Sequence, residues 1–158
     1  IVAYRYAARQ DTRLRKVVTI GANWEMSTDD PSWAMQSGMT AQIWKDMFPS
    51  SYADYMRLNP TPDFDRFAAA LIAMWTDLSP DGYPGPLMSR IHSEMLIVRG
   101  DNDPLTSLES MSKLRNQGTN MSFLNIPLAD HVAFDDAPEV FLLNTGRFFG
   151  VPRDGQTK

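Results

Sequence analysis

Three ionisable side chains stand just past two apolar runs. The stretch MLIVRGDNDP (95–104) ends in Asp101 and Asp103, and NIPLADHVAF (125–134) carries His131. A carboxylate that holds an imidazole in one tautomer turns it into a general base, provided the two come within hydrogen-bond reach. In a parallel sheet the loops leaving the C-terminal strand ends carry the chemistry, so an acid after one strand and a histidine after the next can meet above the sheet. Asp-Asn-Asp-Pro is also a sound turn sequence in its own right, with Asx side chains bonding local backbone. His131 alone would read as a hydrogen-bonded boundary residue; the joint placement favours a catalytic pair.

Other readings of these residues carry less. A calcium loop starting at Asp101 fails, since Leu105 stands at a ligand position, Thr106 at the glycine position and Ser112 at the closing glutamate position. Arg99-Gly100-Asp101 spells an adhesion tripeptide but overlaps a strand end, which makes it a coincidence of spelling. His92 precedes the second strand, at the wrong end of the sheet, and reads as a linker residue. Asn120-Met121-Ser122 matches a glycosylation sequon too short to carry weight.

The elements that must position the pair are legible from periodicity. Val17 to Ala22, Met95 to Gly100 and Ser122 to Pro127 are short apolar runs of the kind found in strands buried on both faces. Ser107 to Gln117 is helical text with Gly118 as its C′ glycine, and Pro138 to Phe149 follows Asp136 as a candidate N-cap. Strand and helix alternating at this spacing predict an α/β fold with a parallel sheet. Between the first two strands lies helical text from Pro31 to about Leu78, rich in tryptophan and methionine. Thr61-Pro62 is a start signal there, and Phe64, Phe67, Leu71, Met74, Trp75 and Leu78 fall on one helical face.

Composition narrows the classes. A chain of 158 residues supports one domain with a real core, and no stretch approaches the roughly 20 apolar residues of a spanning helix. Fifteen Lys and Arg against nineteen Asp and Glu leave a net charge of −4 without a basic run, which argues against nucleic acid as a partner. The absence of cysteine excludes a thiol nucleophile and favours a reducing compartment, hence a cytoplasmic location. The opening IVAYRYAARQ begins mid-helix with no N-cap, so the chain is expected to be a fragment or processed product.

The two segments VRGDNDPLTSLESMSKL and IPLADHVAFDDAPEVFLLNTGRFFG together resemble the C-terminal part of the α/β-hydrolase superfamily, whose last strands carry a G-D-x-D acid turn and a histidine before the final helix. The resemblance implies that Asp103 is the triad acid, His131 the triad base and Asp101 structural. IVAYRYAARQDTRLRKVVTIGANW looks like the helix after the nucleophile elbow and the next strand. Residues 1–24 and 91–158 would then belong to a partial α/β-hydrolase core of three parallel strands, with 25–90 a helical cap. No serine is flanked by glycines in the G-x-S-x-G pattern. The nucleophile, serine or aspartate, would lie about four residues upstream of Ile1, and the oxyanion hole is missing with it. Asp130, beside His131, is an extra acid able to raise the imidazole pKa.

The reading is a hydrolase of small ester or amide-like substrates, inactive as this chain alone. Trp24, Met26, Trp33, Met35, Met39 and Trp44 are candidates for the acyl pocket, and no metal or cofactor is implied. The alternative is a non-catalytic ligand-binding protein on the same fold. In the family the strand matching Val17 to Ala22 is interior. Here its edge, or an apolar face beside it, would lie open, so self-association of the chain is expected.

Overall fold

The computed structural model describes residues 1–152. The backbone divides into two compact units, one of Ile1–Glu25 with Tyr83 onward, the other Met26–Gly82. Residues 83–90, expected in the helical insert, pack with the first unit: the Gly85 N–H donates to the Trp24 carbonyl at 2.9 Å, and Met88 is fully buried.

The first unit holds a three-stranded parallel sheet in the order β1 (Lys16–Ile20), β2 (Glu94–Gly100), β3 (Met121–Ile126). Each strand starts one residue earlier than its apolar run, and β1 ends before Gly21, whose φ of +53° takes the chain out of the extended region. Period-2 alternation sends the side chains of β2 to two cores. Met95 and Ile97 join Val17, Met121, Tyr4, Trp24, Met88, Met111 and Leu114 on one face. That face is covered by α1 (Val2–Ala8), α6 (Leu108–Arg115) and a 3₁₀ turn, Gly85–Arg90. Leu96 and Val98 join Ile126, Ala129 and Ala133 on the other, under α7 (Ala133–Asp136) and α8 (Pro138–Phe149).

Two helix ends differ from expectation. The N-cap of α8 is Ala137, because the Asp136 carboxylate is occupied elsewhere, accepting the Asp130 N–H at 2.7 Å. The C-cap of α6 is Asn116, and Gly118 instead admits the Asn120 side chain, which bonds the carbonyls of Ile91 and Ser93.

The second unit is four helices: α2 (Pro31–Ser37), α3 (Ala41–Met47), α4 (Pro49–Leu58) and α5 (Phe64–Trp75). Asp63, not Thr61, caps α5, its carboxylate accepting the Arg66 N–H at 3.1 Å. Leu78 lies beyond the helix and is exposed, because Thr76 ends α5 with both its N–H and its hydroxyl on the Ile72 carbonyl. Phe64 and Phe67 meet Trp44, Tyr52, Tyr55 and Trp75 in an aromatic cluster. Among the described residues no helix is long and apolar enough to cross a membrane.

Candidate functional site

The site is built at the tips of β2 and β3. The ladder between them runs one step past β2, the Asp101 N–H donating to the Ile126 carbonyl at 2.8 Å. A Cβ on Gly100 would stand 2.0 Å from the Asp130 carbonyl oxygen and 2.4 Å from that of Ala129. Only glycine lets the histidine loop lie so close against the end of β2. The Asn102 N–H then donates to Ala129 O at 2.9 Å and stitches the two loops together.

Asp103 is the organiser. Its side chain is fully buried, and Oδ1 accepts from the N–H groups of Leu105 (2.8 Å) and Thr106 (3.3 Å) while Oδ2 accepts the Thr106 hydroxyl at 2.5 Å. These bonds shape the turn leading to Ser107, the N-cap of α6. The same carboxylate takes His131 Nδ1, at 3.0 Å to Oδ1 and 3.1 Å to Oδ2. Turn chemistry and pairing with the histidine are therefore two uses of one carboxylate. A buried carboxylate that accepts from Nδ1 requires the proton there, which leaves the lone pair of the neutral ring on Nε2.

The electrostatics follow from this geometry. The Asp103 hydrogen bond raises the His131 pKa above its ordinary value, against the opposing effect of burial. Burial pushes the Asp103 carboxyl up, but the bonds from His131, Thr106 and Leu105 outweigh it and hold the group below the ordinary carboxylate range. Asp130, the extra acid, is exposed at the surface. Asp101 bonds Asn125 Nδ2 at 2.8 Å rather than the imidazole.

Gly21 was not foreseen as part of this arrangement. A Cβ there would stand 2.7 Å from His131 Cε1 and 2.8 Å from Nδ1, so the backbone after β1 forms a wall against the ring. Its positive φ is a second reason for glycine. The only sequence signal was a glycine at a strand end, which is too common to single out. Asn23 links the same segment to the acid turn, Nδ2 donating to the Leu105 carbonyl at 3.0 Å.

The expected pocket residues separate. Trp24 is a core residue, 2% exposed, with its indole N–H on the carbonyl and hydroxyl of Ser110, so it is no free pocket wall. Met26, Trp33, Met35, Met39 and Trp44 belong to the second unit. Trp33 donates its indole N–H to Thr76 O at 3.3 Å, Trp44 lies in the aromatic cluster and Met35 is exposed. His92 is exposed just before β2, at the other end of the strands from the pair. Among the described residues no group of three or more His, Asp or Glu side chains is placed to hold a metal ion.

No protein-family model and no curated protein matches the sequence. Solved structures match in fold. NosK from Streptomyces actuosus aligns with a TM-score of 0.72 at 20% identity, over 94% of this chain and 64% of its own. The meta-cleavage product hydrolase of Pseudomonas fluorescens aligns at 0.65 and 16% identity, over 94% and 60%. An α/β hydrolase from a deep-sea metagenome of the Medee basin aligns at 0.59 and 18%, over 99% and 62%. The chain has part of the α/β-hydrolase fold and spans about three fifths of the length of these structures.

Proposed function

We propose that the chain is the C-terminal part of an α/β-hydrolase-fold enzyme that cleaves a small ester or amide-like substrate, its nucleophile lying on an upstream segment of a longer protein. One observation carries this reading: the 3.0 Å bond between His131 Nδ1 and Asp103, made past the C-terminal ends of adjacent parallel strands. Nε2, on the opposite side of the ring, then takes the proton of the attacking group. The Asp103 carboxylate stabilises the imidazolium so formed, and Nε2 returns the proton to the leaving group. The raised pKa of His131 acts in the same direction, since it reflects preferential stabilisation of the charged ring. A serine is the nucleophile we favour. The meta-cleavage product hydrolase was crystallised as a serine-to-alanine variant with acetates, and a base of this kind suits a hydroxyl.

The test compares the chain with the longer protein. This chain by itself should show no His131-dependent hydrolysis of a p-nitrophenyl ester; reproducible turnover would overturn the proposal. In the longer protein, Asp103→Asn should lower kcat by about 10⁴ with folding intact, as loss of the correct tautomer does in other triads. Asp101→Asn should cost far less, and the reverse order would overturn the assignment of the acid.

A further inference from the structure

We propose that Arg99 is a positioning residue for the Asp103–His131 pair: its buried guanidinium, with Asn125 beside it, clamps the main chain of the acid turn so that the Asp103 carboxylate faces the imidazole. This rests on the catalytic reading of that pair.

Arg99 breaks the pattern of its strand. Residues 95 to 98 of β2 are apolar and buried, and Arg99 is buried with them, its side chain 7% exposed. A buried guanidinium is tolerated only if its donors are satisfied. Here they are satisfied almost entirely by the turn. Nε donates to the Thr106 carbonyl at 2.6 Å, Nη1 to the Asp101 carbonyl at 3.1 Å, and Nη2 to the Asp103 carbonyl at 3.3 Å. Three carbonyls spread over six residues are thereby held by one rigid, planar group, a task a lysine ammonium with its flexible stem does not perform.

What Arg99 does not touch matters equally. It makes no hydrogen bond to the Asp103 carboxylate, which would compete with the imidazole for the same oxygens. The nearest carboxylate oxygen is Asp101 Oδ1, 3.9 Å from Nη1 and on a half-exposed side chain. Asn125, the register partner of Arg99 on β3, completes the clamp. Its Oδ1 accepts from Nη1 at 2.9 Å and its Nδ2 donates to Asp101 Oδ1 at 2.8 Å. The two strand tips that carry the acid and the histidine are thus tied together by side chains as well as by the ladder. The adhesion-like tripeptide is explained by the same contacts, since its arginine is inside the protein.

A purely structural role would leave the imidazole unchanged, so the readout is His131 itself. The chain has two histidines, and His92 at the other end of the strands serves as an internal control. Nuclear magnetic resonance of the ¹⁵N-labelled chain should show a low-field Nδ1 proton on His131, the Nδ1–H tautomer at high pH and a raised titration midpoint. Arg99→Lys should abolish the low-field proton and shift the midpoint down toward the ordinary histidine value, with the His92 resonances and the circular dichroism unmoved. Asn125→Leu should produce the same changes at smaller size, and it keeps the proposal testable if Arg99→Lys does not fold. A folded Arg99→Lys, or failing that a folded Asn125→Leu, whose His131 proton and midpoint match the wild type would overturn the positioning role. Absence of the Nδ1 signature in the wild type would overturn the catalytic reading, and the positioning role with it.

Discussion

The two faces of the sheet are finished differently. On the face toward α1 and α6, Tyr4, Trp24, Met88, Met95, Met111, Leu114 and Met121 are all 2% exposed or less. On the opposite face Leu96, Val98 and Ile126 are sealed beneath α7 and α8, but Val18 and Ile20 of β1 and Leu124 of β3 are only half-buried, and Leu142 and Leu143 of α8, outside that core, are 65% and 46% exposed. β1 is also an edge, paired on one side by β2 and on the other by no described strand. The chain therefore closes one core with its own helices and closes the other chiefly over β2 and the end of β3. The Asp103–His131 pair lies past the tips of β2 and β3, just beyond the sealed residues Val98 and Ile126.

The sharpest way to break this comparison is a pair of truncations. Met111→Ala, on the closed face, should destabilise the chain by about 2–5 kcal/mol, since a buried methionine leaves a cavity its neighbours only partly fill. Leu142→Ala, on the exposed side of α8, should stay within about 0.5 kcal/mol. Urea unfolding of both, with equal effects, would show that Leu142 is buried in solution, as by a second copy of the chain.

Gly21→Ala probes the strand tips. The new Cβ would meet the imidazole and sit at a positive φ, so a loss of about 1–3 kcal/mol is expected. A shifted His131 resonance should accompany it. Stability lost without any change at His131 would mean that the ring does not rest on residue 21.

Acidity should expose the pair in unfolding measurements. The His131 pKa is raised in the folded state, so its contribution is fully present below the unfolded value of about 6.5 and is lost as the pH rises through the folded value. The Asp103 pKa is lowered, so its contribution is present above the unfolded value of about 3.9 and is lost as the pH falls through the folded value. The joint contribution is largest between those two unfolded values. His131→Gln should flatten the alkaline limb of the stability profile, and an unchanged slope would mean that the bond to Asp103 is not retained in solution.

The smallest energies concern the open flank. We propose that in this chain a second copy covers the β1 edge or the apolar face beside it, in a two-fold dimer. Light scattering over a tenfold dilution should show dissociation, and Leu142→Glu or Val18→Lys should favour the monomer. A wild-type chain of 17.8 kDa that stays monomeric at every concentration would refute this.

Local sequence determined what depends on local periodicity. Three short runs, too short for helices, became three parallel strands, each within two residues of its expected ends, although only β2 is buried on both faces as its unbroken apolar run requires. That an acid after β2 and His131 after β3 can meet was legible because strand-to-loop junctions in a parallel sheet all point one way, while Asp103 rather than Asp101 was what the family resemblance implied, and it is Asp103 that bonds the ring. Helix starts were less legible, since Thr61 and Asp136 are sound caps by type and lost the role to Asp63 and Ala137 through contacts that type alone does not reveal. The tertiary structure alone decided that Gly21 walls the imidazole 110 positions away, that Trp24 belongs to the core, and that Arg99 turns inward to hold the acid turn. Such contacts join residues from different elements, and their existence is settled by strand register and side-chain packing, which no local pattern of residue types encodes.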